Sequence, residues 1–475
     1  MLSNTQLLNN IINVKYKLIK KIKNPLFYSF SWLFAADSNY ERLIKNQISN
    51  KKKNYYLILV KKIDLSFYIF FNFFKFIIVN LFYKKNNKKL IAKKNIFFSH
   101  LNNETELKKR SDKYFGDIPN WIKENFYIVL NNNTKKNSFN YQEQLKRNQI
   151  IFPDFLNFRE EINIFFTYIK LINFFKSIDI SDKDVAKELN YQLYDKNIIY
   201  NLRKFFFIKK ILTSCNPKKV FLTYEGHHTE AFIIEYSKKF KIKTIAYNHS
   251  IIYDFQKLYR NLHYYNFKPD VILLTGKKIK KKIKFSFNQK ILIIGSNKII
   301  KNKSKIINFD KKPNNCLVFG DDEELTKKLF FVIYKFAKKN DKIKFYFKLH
   351  PSIKLNQVIK KPKIFFSQTN INLTHEENEK LFKKVKWVIY QRTTAVLNSI
   401  YFNVRPLYYN NHQVNIDPLG KIKTWKKNFN DEKQLQKILI HDINSKITKK
   451  INFLKIKKEH EKYFFSIDKK KLKRL

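Results

Sequence analysis

The sequence predicts an α/β protein made of two Rossmann-like domains that face a cleft, followed by C-terminal helices. Three observations carry this. Short apolar runs alternate with helical patterns over the middle and C-terminal parts of the chain. The runs are apolar at consecutive positions, so both faces are covered. Four of the chain's six glycines fall at the ends of these runs: Gly226, Gly276, Gly295 and Gly320. Strands that are apolar on both faces and alternate with helices belong to parallel sheets with helices on each side.

The series begins at VFLTYEG (220–226), followed by the helix-like HTEAFIIEYSKKF, TIAYNHS (244–250), VILLTG (271–276) and ILIIG (291–295). A Lys-rich, irregular stretch at 298–314 interrupts it. It restarts at CLVFG (316–320), runs through a helix pattern at 322–339, and continues with KFYFKLHP (344–351), KIFFSQ (363–368), WVIYQ (387–391) and RPLYY (405–409). The interruption divides the chain into an N-terminal domain, 1–297, and a second domain, 298–430; basic helices are expected over 431–475. The first 215 residues are less regular. Strands are expected there at YYLILV (55–60), NIFFSH (95–100) and FYIVL (126–130), with helices around 159–212. In so glycine-poor a chain, glycines at strand ends are expected where φ is positive or two segments approach closely.

Length and composition bound the function. A chain of 475 residues with 44% hydrophobic residues supports a large core and more than one domain. The formal charge of +58 comes from 96 Lys and Arg against 38 Asp and Glu. The lysines are scattered and accompany abundant Asn, Ile, Phe and Tyr, the pattern of an AT-rich coding bias. Attraction to an anionic membrane surface or to phosphorylated ligands fits this charge better than a dedicated nucleic-acid partner. Cys215 and Cys316 lack any CxxC spacing, so neither a disulfide framework nor a zinc site is expected. The first residues show no uninterrupted apolar segment and no small-residue cleavage site, and a cytoplasmic location is expected. Residues 66–85, SFYIFFNFFKFIIVNLFYKK, are apolar but broken by Asn72, Lys75 and Asn80. A helix packed within the first domain is expected, with an interfacial membrane contact as the alternative.

Four stretches can carry chemistry, because ligands of open α/β sheets bind outside the C-terminal strand ends. In TYEGHHTE (223–230), Glu225 can serve as a general base or cap the following helix, with His227 and His228 lining the cleft. HHxE does not set three ligands on one helix face, so no metal is expected. In NHS (248–250), His249 and Ser250 face the same crevice. In KLHP (348–351), His350 stands before Pro351 at the start of a helix, where an imidazole suits a phosphate. In WVIYQRTTAVLNSIYF (387–402), Thr393 and Thr394 are expected at the N-cap and first turn of a helix over 394–402, with Arg392 beside them, an arrangement for a phosphate. No GxxxxGK[ST] or GxGxxG motif occurs, and the DKD at 182–184 lies in a polar helical context, so no cofactor is expected.

The ordered set YEG, HP and TT resembles the motifs of bacterial sialyltransferases and polysialyltransferases of the GT-B fold, and of related Kdo and CDP-glycerol-type transferases. The stretches WLFAADSNYERLIKN (32–46), YFGDIPNWIKE (114–124), YEGHHTEAFIIEYSKKFKIKTIAYNHS (224–250) and KLHP through RTTAVLNSIYFNVRPLYY resemble a family of bacterial surface carbohydrate biosynthesis proteins. The resemblance implies a glycosyltransferase of cell-surface polysaccharide synthesis, working by metal-independent inverting transfer from a nucleotide-activated, CMP- or CDP-linked sugar to a glycan or lipid-linked acceptor. It implies Glu225 as the base, His350 as the donor-phosphate partner, and Thr393 with Thr394 as the phosphate clamp, at the inner face of the cell membrane. Tyr224 departs from the pattern, standing where the resemblance calls for a first acid. A non-catalytic carbohydrate-assembly protein of the same fold, and a basic nucleic-acid-binding protein, are the alternatives.

Overall fold

The computed structural model describes residues 13–15, 17–30, 33, 55–82, 91–108, 111–122, 125–134, 136–181, 183–251, 268–283, 290–296, 307–321, 323–350, 353–359, 362–410, 417–420, 425–445, 456, 458, 461–462 and 467–473. Of the stretches read above, most of 32–46, Pro351, Asp182, residues 83–85 and the expected domain boundary at 297/298 lie outside these residues.

Two parallel sheets organise the chain. The first runs through β1 (Asn95–Leu101), β2 (Phe126–Asn132), β3 (Gln149–Ile151), β4 (Lys219–Thr223), β5 (Lys243–Asn248), β6 (Val271–Leu274) and β7 (Lys290–Ile293), in the spatial order β3-β2-β1-β4-β5-β6-β7. The second runs through β8 (Asn315–Phe319), β9 (Lys344–Lys348), β10 (Ile371–Leu373), β11 (Trp387–Tyr390), β12 (Arg405–Tyr409) and β13 (Lys427–Phe429), in the order β10-β9-β8-β11-β12-β13. The pairings are parallel in both sheets. Both orders are doubly wound, reversing direction between the first and fourth strands of the sheet. This is the two-domain GT-B-like architecture expected from the alternating pattern.

The helices explain why the strands are apolar throughout. On one face of the first sheet, Ile96, Phe98, Val129 and Leu222 pack under α1 (Tyr55–Phe82), α2 (Phe158–Lys176), α3 (Lys183–Gln192), α4 (Asn197–Cys215) and α5 (His228–Lys239). On the other face, Phe97, Ile128, Phe221 and Ile245 pack with Phe115, Ile118 and Tyr141. Phe97 and Phe221 stack at 4.4 Å across β1 and β4. The second sheet carries α6 (Glu323–Lys339), the short α7 (Val396–Ser399) and α8 (Glu432–Asn444). The final helix, α9 (Lys469–Lys473), returns to the first sheet. There Asp468 N donates to Ile294 O at 2.7 Å, and Leu472 joins the core.

Three elements differ from the sequence reading. YYLILV (55–60) is the first turn and a half of α1, not a strand. A short apolar run does not distinguish strand from buried helix, and here the pattern continues for 28 residues. KIFFSQ (363–368) is not a strand either. Pro362 opens a helical turn, Pro362–Phe365, which sets Phe365 against Phe347 at 5.4 Å, and β10 follows at Ile371. The helix expected over 394–402 begins two residues later, as the single turn α7 followed by a 3-10 turn at Ile400–Phe402. Consecutive β-branched threonines stiffen the chain outside the helix, and Thr393 Oγ1 instead accepts from Ala395 N at 3.3 Å.

A buried ion pair ties α8 to the second sheet. Asp442 is 1% exposed and accepts from Trp387 Nε1 on β11 at 2.9 Å and from Arg405 on β12. Breaking one side of such a pair leaves a charge uncompensated in the core. Asp442→Ala is therefore expected to lower the unfolding free energy by about 3–5 kcal/mol, read from the urea midpoint at unchanged slope.

Candidate active site at the two sheet crossovers

In each sheet, the residues that end the first and fourth strands carry the polar groups. This is where a doubly wound sheet opens a crevice, because neighbouring connections leave toward opposite faces. In the first sheet these strands are β1 and β4; in the second, β8 and β11.

The β4–α5 turn is built by Glu230. Its side chain is buried, and its carboxylate accepts from the backbone N–H groups of Glu225 (2.9 Å), Gly226 (2.8 Å) and His227 (2.9 Å), and from Thr223 Oγ1 at 3.3 Å. Three N–H groups that the helix leaves unsatisfied thus converge on one carboxylate. Gly226 takes φ 86°, a left-handed conformation that glycine alone adopts without strain. Burial pushes the Glu230 carboxyl up to about 7, while His227 and the backbone donors oppose the shift.

With Glu230 as the cap, Glu225 turns toward the neighbouring strand end. Its Oε1 accepts from Ser250 Oγ at 2.8 Å and lies 3.1 Å from His249 Nε2; its Oε2 lies 3.3 Å from His227 Nε2. Burial would raise the Glu225 carboxyl, but His249, His227 and the Ser250 hydroxyl hold it well below the usual carboxylate range. His227 is lowered by burial, yet the hydrogen bond to Glu225 and the charges of Glu230 and Glu225 lift it to about 9. The structure therefore brings Glu225, His227, His249 and Ser250 together.

His228 is the exception. It packs against Phe205 of α4, with ring centroids 6.0 Å apart, and burial together with the Lys204 and His227 charges holds it well below its ordinary value. Tyr224 is 1% exposed, so the position of the missing first acid lies in the core. Among the described residues, no group of three or more His, Cys, Asp or Glu is placed to hold a metal ion.

The same crevice contains side chains the sequence reading did not single out. His100 ends β1, with Nδ1 3.1 Å from Asn131 Nδ2 and its ring 5.2 Å from Tyr114. Tyr114 meets His249 edge-on at 4.8 Å. Burial first, then the His227 charge, pushes His100 down to about 4, so it is neutral at pH 7. The strand-end rule that selected His249 also selects His100.

In the second sheet, β8 ends at Gly320 and Asp321, β9 at His350 and β11 at Arg392. Arg392 Nε donates to Asp321 Oδ2 at 2.9 Å. Asp321, which the sequence reading passed over, is visible in it as the first acid of GDDEE after a strand. A Cβ on Gly320 would stand 2.8 Å from Thr326 Cγ2 and 3.3 Å from Leu349 Cδ2. The glycine thus lets α6 approach the strand end, where Asp321 N donates to Thr326 Oγ1 at 2.8 Å.

Partial burial lowers the His350 pKa; Lys113 and Arg392 add to the effect, and Asp321 opposes it. Lys113 belongs to the first domain and also depresses His100. The Lys113 ammonium, which also pairs with Glu106 at 2.9 Å, thus contributes to the low pKa of a histidine in each cluster. Thr393 and Thr394 follow Arg392, each half-buried, and precede α7.

Three outcomes follow. Glu230→Ala orphans three backbone donors and should cost about 2–4 kcal/mol in chemical unfolding. An NMR titration should place His227 near 9 in the native chain and more than one unit lower in Glu225→Gln. The His227–Glu225 contact stabilises fully below the unfolded value of 6.5 and is lost as pH rises toward about 9; with the His227 side chain 54% exposed the effect is reduced by solvent, and Glu225→Gln, which keeps the Glu230 charge, should lose less stability across that window than the native chain.

No protein-family model and no curated protein matches the chain. Solved structures match in fold. The Staphylococcus aureus MnaA–UDP structure is 9% identical over 74% of this chain and 89% of its own, with a TM-score of 0.45. The UDP-GlcNAc 2-epimerase from Neisseria meningitidis bound to UDP-GlcNAc is 12% identical over 79% and 95%, at 0.41. The Anabaena HepE protein in complex with UDP-glucose is 8% identical over 80% and 97%, at 0.44.

Proposed function

We propose that the protein is a glycosyltransferase that moves a sugar from a nucleotide donor to a hydroxyl of a glycan or lipid-linked acceptor of surface polysaccharide synthesis. One observation supports this reading: in each of two doubly wound parallel sheets, hydrogen-bonded polar side chains gather at the C-terminal strand ends around the crossover, Glu225 with His249, His227 and Ser250 in the first and Arg392 with Asp321 in the second. A nucleotide diphosphate or monophosphate is the ligand class that such a helix-lined, cation-bearing strand end accepts.

In the proposed reaction the acceptor oxygen attacks the anomeric carbon as the bond from that carbon to the phosphate oxygen breaks, inverting the centre. Glu225, ionised at neutral pH, takes the proton from the acceptor hydroxyl. His249, His227 and Ser250 hold its carboxylate in place. The departing phosphate gathers negative charge, which Arg392, the hydroxyls of Thr393 and Thr394, and a proton or hydrogen bond from His350 offset. With α7 only four residues long, the side chains supply this stabilisation in place of a helix dipole. A cytidine-linked donor is the finer reading that the motif order implies.

A second reading rests on the same carboxylate. Three partners make Glu225 a weak base, which suits a carbohydrate-assembly protein that binds a nucleotide sugar without turnover.

Calorimetric titration with CMP, CDP, UDP and GDP should reveal binding of at least one. Arg392→Ala, and Thr393→Val with Thr394→Val, should each weaken it about tenfold or more at an unchanged melting temperature. Tight, salt-sensitive RNA binding with no nucleotide binding would overturn the proposal. In a donor panel against extracted surface glycans, Glu225→Gln should reduce turnover by about 10²–10⁴-fold while leaving nucleotide binding intact. Nucleotide binding without transfer from any donor would favour the second reading.

A further inference from the structure

The long helix α1 presents an apolar stripe to solvent. Along α1, Ile63, Phe67, Phe70, Phe74 and Ile77 are all exposed, with Phe71 the most exposed at 65%. Their spacing of four, three, four and three residues places them within an arc of about 120° on the helix surface. The opposite side of α1 carries Leu65 and Phe76, which are buried. On α2, Phe158, Ile162, Phe165, Phe166 and Ile169 repeat the pattern, again opposite a buried set of Ile164, Tyr168, Leu171 and Phe175. Phe76, on the buried side of α1, stacks on Phe158 at 6.2 Å, so α1 meets the start of α2 through the side opposite its exposed stripe. Most of the exposed large apolar side chains among the described residues lie on these two helices. An apolar face of this extent marks an interaction site.

Charge selects the occupant. Lys62 and Lys75 flank the α1 stripe, whereas Lys61 turns inward to Asp195 and the Tyr191 ring, and Arg159 and Lys170 are exposed beside the α2 stripe. In the sequence, α1 is preceded by Lys51, Lys52 and Lys53 and followed by Lys84, Lys85, Lys88 and Lys89. The acids nearby are matched: Asp64 lies 3.9 Å from Lys196, Glu160 lies 3.5 Å from Lys210, and Glu161 pairs with Arg203 at 2.7 Å. A second copy of a chain with a formal charge of +58 would bring like charges together. A bilayer carrying anionic headgroups meets both the phenylalanines and the lysines. No described helix is long and apolar enough to cross a membrane. We propose that α1 lies in the plane of an anionic bilayer, its phenylalanines inserted below the headgroups and the flanking lysines on the phosphates. This docking surface is separate from the crevice residues and does not depend on the reaction assigned to them.

The test uses the full chain with vesicles of phosphatidylglycerol and phosphatidylcholine, and with phosphatidylcholine alone. Flotation should show binding to the anionic vesicles. Phe67→Ser, Phe70→Ser and Phe74→Ser combined should weaken that binding by more than about tenfold while leaving the circular-dichroism melt unchanged. As a conservative companion, Phe70→Trp should gain a fluorescence component quenched by brominated lipid only when vesicles are bound. Binding that the triple substitution leaves unchanged would assign the affinity to scattered lysines and overturn the proposal. So would a lack of vesicle binding together with a self-association that the triple substitution abolishes, or a Phe70→Trp signal that brominated lipid does not quench.

Discussion

The first crevice depends on one buried carboxylate. Glu230 draws three consecutive backbone N–H groups onto itself and so fixes the turn between β4 and α5. With those donors satisfied from within the helix, Glu225 has no capping role, and its side chain reaches the end of the neighbouring strand. There it collects Ser250, His249 and His227. The cost of burying Glu230 is offset by charge-assisted bonds, and the product is a second carboxylate held ionised in a fixed direction. A polar group that merely lined the crevice would rotate among its rotamers; this one has both oxygens engaged.

The second domain reaches a comparable result by different means. Gly320 removes a side chain where α6 and the strand ends crowd together, and Asp321 then stands in reach of Arg392. The guanidinium is thus oriented by an acid from the neighbouring strand end before any ligand arrives. Lys113, in a loop of the first domain, is held by Glu106 at 2.9 Å. Cationic groups oriented in this way by acids of the fold need little reorganisation to meet an anion.

The fold was legible because its signal is redundant. Most strands are apolar at consecutive positions, and ten of the thirteen among the described residues were located within a few residues. The three missed, β3, β10 and β13, are each three residues long, too short for periodicity to register. YYLILV misled for the opposite reason: six apolar residues read alike in either state, and only the continuation to Phe82 decides between them. Strand-end position pointed to Glu225, His249 and Ser250, which the first sheet brings into contact, and to His350 and Arg392, which follow strands of the second. It did not distinguish Glu225 from Glu230, because both neighbour the same glycine turn and only the backbone direction tells which one caps. His228 points to α4 for a related reason: one residue along a helix start rotates the side chain by about 100°.

The path of the chain between the sheets has a mechanical consequence. Residues after β7 lead to the second sheet, and residues after α8 lead back, ending with Asp468 bound to Ile294 and Leu472 in the first core. The domains are therefore joined by two strands of polypeptide rather than one. A single linker leaves two domains free to swivel and twist, whereas a second connection removes part of that freedom. Any reorientation of one domain against the other must then carry both connections with it.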